Sequence, residues 1–264
     1  MSPASIEVSQ AVDRERLERE VKAMYRDVAQ QPEGEFHFEL GRALAERLGY
    51  PGALLDQIPA AAVESFAGVG YALDLAALRA GEFVLDLGSG SGTDAFAAAR
   101  LVGAAGWVHG LDMTDEQRAK AERLRREAGL HRVEFHKGYV EELPFEGGVL
   151  DAVISNGVIN LSSDKQRVFE EIARVLRPGG RAAIADIVSS RPLKPATVAK
   201  VELWAACVAG AVPGLDYAAG LEQAGLKVQT IRENTSYRFI SERARTTCQT
   251  YGVKSISILA VKQR

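Results

Sequence analysis

Residues 84–92 read VLDLGSGSG, an apolar run that carries an acid and then breaks into three alternating glycines, directly before the alanine-rich segment TDAFAAARLV. Glycines between a strand and a helix let a ligand approach the backbone without Cβ interference. A glycine-rich turn by itself also fits a plain flexible connection, so its neighbours decide its meaning. Around it the pattern repeats. Short apolar runs at 83–87, 106–111, 132–135, 150–155 and 181–187 alternate with helical segments at 93–101, 115–128 and 165–176. Such alternation implies an α/β domain with a parallel sheet and helices on both faces. Helices at 197–212 and 215–224, a strand at 226–232, a helix at 237–250 and a strand at 255–261 complete seven strands.

The start of the chain has a different rhythm. Val12, Leu17, Val21, Met24, Tyr25 and Val28 recur at helical intervals between charges, which predicts an amphipathic helix over 12–28. From 31 to 71 short helical pieces (38–48 and 60–66) alternate with the breakers Pro32, Gly34, Gly49, Pro51, Gly52 and Pro59. The expected organisation is a helical N-terminal cap or lid over 1–75 and an α/β domain over 76–264, with a helical insert at about 195–224.

With 32 Lys and Arg against 35 Asp and Glu, the net charge is -3 and offers no basic face for nucleic acid. The polar N-terminus and the lack of any run of about 18 apolar residues argue against a leader peptide or membrane partner. A soluble, cytoplasmic monomer or homodimer is expected. Cys207 and Cys248 form no CxxC pair and have no supporting histidine cluster, so neither a disulfide framework nor a metal site is expected. His109, His131 and His136 read as structural.

The glycine spacing G-x-G-x-G, with Gly88, Ser89, Gly90 and Gly92, departs from the dinucleotide fingerprint, whose third glycine would fall at Thr93. Asp86 beside the loop disfavours a pyrophosphate and favours the ammonium of an amino-acid moiety. Asp112, about 20 residues past the loop at the tip of the second strand, suits the hydroxyls of a ribose. It can alternatively open the next helix, although Thr114 and Asp115 cap that helix well enough. Met113 either lies against an adenine or packs. Residues 137–144, KGYVEELP, follow the third strand, so Val140 and Glu141 belong near the adenine; Asn156 closes the fourth strand, as a ligand to the amino-acid end or as a turn residue before Gly157.

These ordered motifs, VLDLGSGSGTDAF, GLDMTDEQ, SNGVINLSSDK, FEEIARVLRPGG and CVAGA at 207–211, resemble the class I S-adenosylmethionine-dependent methyltransferases and, within them, the arsenite methyltransferase group. The resemblance begins near Leu48 and includes LGYP and the following IP. It implies a Rossmann-like class I methyltransferase fold, S-adenosyl-L-methionine as cofactor and S-adenosyl-L-homocysteine as product. It assigns the amino-acid end to Asp86, Gly88, Gly90 and Asn156, the ribose to Asp112, the adenine to Met113, Val140 and Glu141, and a lid contact to Tyr25. In the arsenite group soft thiolates hold As(III). Cys207 matches one of those cysteines, whereas Gly157 and Val69 stand where two others belong.

The expected acceptor is therefore a small molecule other than arsenite, in a pocket between the cap and the insert. Methylation of arsenite, a thiol or a selenol through Cys207 is the alternative within the class. A catalytically silent cofactor-binding protein and a nicotinamide-dependent oxidoreductase are the alternatives outside it. Candidate catalytic residues are Cys207, His37 in the EFHFE segment at 35–39, and Tyr25, with Tyr50 as a further base.

Overall fold

The computed structural model describes residues 13–200, 203–204 and 208–263. Seven strands, β1 (Phe83–Leu87), β2 (Trp107–Asp112), β3 (Val133–Lys137), β4 (Leu150–Asn156), β5 (Leu176–Val188), β6 (Leu226–Glu233) and β7 (Lys254–Lys262), form one sheet in the order β3-β2-β1-β4-β5-β7-β6. The first five are parallel, and β7 runs antiparallel to both β5 and β6. The expected α/β class and seven-stranded, mostly parallel sheet are met.

Burial follows position. β4 is buried along six of its seven residues and β1 along four of five, as strands covered on both faces must be, while the edge strands β3 and β6 bury one residue each. Side chains alternate across β1: Val84 joins the core layer that contains Phe96 and Tyr50, and Leu85 and Leu87 join the opposite layer with Ile172 and Leu176. Asp86, two residues after Val84, therefore points into the Phe96 layer. Because β1 is flanked by β2 on one side and β4 on the other, the chain order reverses there, and the crevice outside their carboxyl ends is where open α/β sheets bind ligands.

The longer helices are α1 (Arg14–Gln30), α2 (Arg42–Leu48), α3 (Thr93–Val102), α4 (Asp115–Glu127), α5 (Lys165–Val175), α6 (Gly214–Gln223) and α7 (Glu242–Tyr251). Asp13 caps α1 by accepting from the Arg16 amide, and α1 lies along α4. Gln117 Nε2 donates to the Tyr25 carbonyl at 2.8 Å, and Lys120 Nζ reaches the Ala29 carbonyl at 3.1 Å and Ser65 Oγ at 2.7 Å. The helix thereby roofs the carboxyl ends of β1 and β2.

Expected helices differ from their patterns most clearly in three places. The one sought from residue 38 starts at Arg42, after Gly41 with φ +86°. The one sought from 237 starts at Glu242, where Ser241 Oγ accepts from the Ala244 amide. The continuous helix expected over 197–212 is broken. The Leu203 carbonyl takes the amides of both Val208 and Ala209, and a Cβ at Gly210 would fall 2.1 Å from the Asn160 carbonyl, so the chain leaves helical geometry to pass that turn.

Candidate active site

A cavity of about 570 Å³ lies under α1. Leu17, Glu18, Val21 and Tyr25 form its roof, and residues of the β1, β2, β3 and β4 carboxyl ends form its floor and walls. Its chemistry is set by carboxylates. Asp86 is buried, takes a hydrogen bond from the Ala95 amide, and leaves Oδ2 without a partner. Burial raises its pKa well above the ordinary carboxylate range, and the nearby Asp94 and Asp112 charges add to the rise. Asp94 is also raised by burial, against the hydrogen bonds it accepts from Tyr50 and Asn156. Asp112 is raised by burial as well, opposed by the Thr114 amide on Oδ1 at 2.8 Å and the Gly90 amide on Oδ2 at 2.9 Å.

The glycine loop has most of its amides already committed. The Gly88 and Ser89 amides donate to the Leu111 carbonyl at 2.8 and 2.9 Å, the Gly90 amide to Asp112, and the Gly92 amide to the Ser89 carbonyl. With these four amides committed and three acids, one buried and two partly buried, around the α3 N-terminus, a pyrophosphate would meet repulsion where a dinucleotide site supplies donors. A cationic group is the complement. The orphaned Asp86 Oδ2, facing a cavity roomy enough for a nucleoside, fits the positively charged amino-acid end of S-adenosylmethionine.

A methyltransferase-domain family profile matches residues 78–240. The chain belongs to that family. This methyltransferase is 41% identical over 201 residues to the arsenite methyltransferase of Halobacterium salinarum, a match covering 75% of this chain and 51% of that protein. It is 40% identical over 140 residues to the arsenite methyltransferase of Homo sapiens, covering 49% of this chain and 37% of that one. The methyltransferase thus spans about half the length of the curated relatives it matches. Among solved structures, an arsenic(III) S-adenosylmethionine methyltransferase from Chlamydomonas reinhardtii superposes with a TM-score of 0.61 at 30% identity, covering 85% of this chain and 74% of that one. A geranyl diphosphate C-methyltransferase from Streptomyces coelicolor, 18% identical with a TM-score of 0.62, shares the fold. The chain carries a class I methyltransferase domain and resembles the S-adenosylmethionine-dependent arsenite group.

Most residues singled out from the sequence converge on this cavity: Asp86, Gly88, Ser89, Gly90, Asp112, Met113, Val140, Glu141, Asn156 and Tyr25 all line it. Gly92 does not. A Cβ there would lie 2.7 Å from Phe96 Cε2 and 2.9 Å from Phe135 Cζ, and its φ is +97°, so this glycine allows α3 to pack closely against the sheet. His37 is exposed and outside the cavity lining. Tyr50 donates its hydroxyl proton to Asp94, and burial, reinforced by the Asp94 charge, holds its pKa well above the ordinary tyrosine value, so it cannot serve as a base. Cys207 lies outside the described residues. Cys248 is buried, with its thiol pushed up to about 12 by burial, and does not line the cavity.

The role of Asn156 differs in kind from the expected one. Its Oδ1 accepts the Val69 amide at 2.8 Å and the Gly70 amide at 3.3 Å; its Nδ2 faces the Gly70 carbonyl at 2.9 Å and Tyr50 and Asp94 at 3.1 Å. The amide clamps the 68–70 turn onto β4, leaving other atoms of the residue to face the cavity. No described residue of the 195–224 insert lines this cavity; its wall on that side comes from residues 156–158 and 161–164.

Sequence reasoning missed Asp94, Gln117 and the 65–68 turn. Asp94 reads as an ordinary acid in a first helical turn, favourable to the helix dipole. Only the packing of α3 against the sheet brings it beside Asp86.

Proposed function

We propose that this methyltransferase transfers the methyl group of S-adenosylmethionine to a small-molecule acceptor other than arsenite. Bound, the cofactor supplies a methyl group on a sulfonium centre, open to in-line displacement by a nucleophile. Asp86 holds the cationic amino-acid end, with the Gly88 to Gly90 backbone packed beside it. Asp112 has lone pairs left for the ribose hydroxyls once the Gly90 and Thr114 amides are counted. Met113, Val140 and Glu141 flank the base, and α1 excludes water through Leu17, Val21 and Tyr25. Catalysis then rests mainly on alignment, which contributes up to ~7–11 kcal/mol without a dedicated side-chain base.

The observation that carries the choice of acceptor is the contact between residues 69 and 157. A Cβ added to Gly157 would sit 3.4 Å from Val69 Cγ1. The two positions where the resemblance places thiolates therefore touch, and together they offer a buried valine and a hydrogen in place of two soft ligands. The 41% identity to an arsenite methyltransferase supports a second reading, methylation of arsenite or of a thiol or selenol through Cys207.

Labelled S-adenosylmethionine offered with arsenite, small thiols and a metabolite extract separates the readings. Label should move to an extract component and not to arsenite. Efficient arsenite methylation that Cys207→Ser abolishes would establish the second reading. Tight S-adenosylhomocysteine binding without turnover of any acceptor would point to a silent binding protein.

A further inference from the structure

On the face of the sheet opposite the Phe96 layer, His109 of β2 stands in register with Glu134 of β3, and His136 follows two residues later on the same face. His109 Nδ1 is 3.0 Å from His136 Nε2, and Glu134 Oε2 is 3.8 Å from each of these nitrogens. The point equidistant from the three atoms lies about 2.1 Å from each, the length of a zinc bond to imidazole nitrogen or carboxylate oxygen. We propose that His109, Glu134 and His136 bind a single zinc ion, separate from the methyl-transfer cavity, whose lining includes none of the three.

The donor set is selective. Two imidazoles and one carboxylate suit a borderline divalent ion and disfavour magnesium or calcium, which want oxygen alone. The two ring nitrogens already meet at hydrogen-bond distance, so at least one presents a lone pair, and the ion replaces the shared proton. The rings are fixed before binding: Phe145 packs on both, with centroids at 5.1 and 5.3 Å, and Trp107 lies 6.4 Å from His109. Glu134 is half exposed, which gives its carboxylate freedom to close on the ion and leaves a coordination position for water. The ion would cross-link the edge strand β3 to β2 beneath Phe145. It would thereby steady the segment that carries Tyr139, Val140 and Glu141 into the cavity wall.

The test is a zinc titration of the chelator-treated full chain against a chromogenic competitor. One equivalent should bind, and His109→Ala or His136→Ala should weaken binding at least ~10-fold, the scale seen even for loss of an outer-shell partner. Glu134→Gln, at a half-exposed position, removes the carboxylate without unpacking the rings and should also weaken zinc while leaving the S-adenosylhomocysteine affinity of the metal-free protein intact. Cys207→Ser with Cys248→Ser should leave zinc binding unchanged. X-ray absorption of the zinc-loaded wild type should show imidazole and oxygen neighbours. Absence of micromolar zinc binding, sulfur in the zinc shell, or full retention of zinc by the Glu134 and histidine variants would overturn the assignment.

Discussion

Asp86→Asn separates the cost of an empty cofactor site from its use. In the empty protein the carboxylate is buried, has one unpartnered oxygen, and faces the Asp94 and Asp112 charges. Its folded pKa is raised above the unfolded value, so the folded state holds the proton more tightly. The fold therefore loses stability as pH rises from the ordinary carboxylate range through that raised pKa. The isosteric amide removes this loss, and the empty variant should melt higher than the wild type near neutral pH.

Binding should move the other way. A hydrogen bond between the ionised carboxylate and a cationic ligand is worth ~1.5–3 kcal/mol, so S-adenosylhomocysteine, which keeps the ammonium, should bind roughly 10- to 150-fold more weakly. Ligand at 100 times the wild-type Kd stabilises the wild type by ~2.7 kcal/mol; a tenfold weaker site gains ~1.4 and a hundredfold weaker one ~0.4 kcal/mol. At ~2–4 °C per kcal/mol for a domain of this size, melts with and without ligand resolve these differences, and calorimetry checks the Kd. Wild-type affinity should also fall as pH drops through the raised Asp86 pKa. A variant that melts lower when empty, or that binds S-adenosylhomocysteine as tightly as wild type, would refute the role of Asp86.

Gly92→Ala should lower stability by about 2–4 kcal/mol in urea, because the new Cβ meets Phe96 and Phe135 in a left-handed backbone, while folded protein retains S-adenosylhomocysteine affinity. Tyr139 Oη donates to Glu18 at 2.7 Å and accepts from Lys22 at 3.0 Å, tying α1 to the segment after β3; Tyr139→Phe should speed ligand release ~2- to 10-fold in stopped flow, and an unchanged rate would remove this latch. Arg181→Ala should cost ~3–5 kcal/mol by leaving Glu82 buried without its guanidinium partner. Burial pushes Glu82 upward, but Arg181 and the Arg79 amide hold it below the usual range, so its stabilisation is present at neutral pH and lost as pH falls through that lowered pKa. In Arg181→Ala the acid limb of a pH–stability curve should be correspondingly shallower.

The sequence made the strands of this sheet legible because parallel strands buried on both faces are continuous apolar runs. The position of β1 matched residue for residue, and its glycines marked the crevice. Gly92 misled because a glycine required for helix packing and one required for ligand approach look the same in one dimension. The departure from helix at 208–210 was hidden for a related reason: nothing in the sequence signals that Gly210 must clear the Asn160 carbonyl. Asp94, Tyr50 and Asn156 come together across long stretches of chain, and only the fold shows their hydrogen-bond network. His109, Glu134 and His136 were likewise invisible as a set, since register between β2 and β3 aligns them and no local spacing does.

The turn at residue 157 bears on how the acceptor wall is made. Gly157 has φ +78°, and its amide donates to the Ala185 carbonyl at 2.8 Å, fixing the end of β4 against β5. A cysteine placed there would take up a left-handed conformation at a cost of about 1–2 kcal/mol, or the turn would have to change. The neighbouring Val69 donates its backbone N–H to Asn156 Oδ1 at 2.8 Å, which holds the 68–70 turn in place. Substituting the two positions with cysteine therefore does not by itself recreate a thiolate pair, because the backbone of this chain is adapted to glycine. Gly157 and Val158 line the cavity, with Val158 packed against Gly88, while Val69 touches Gly157 from a buried position outside the lining. On the proposed reading, an acceptor that meets Gly157 and Val158 gains affinity from carbon in contact with carbon, and its nucleophile is aligned by shape under α1.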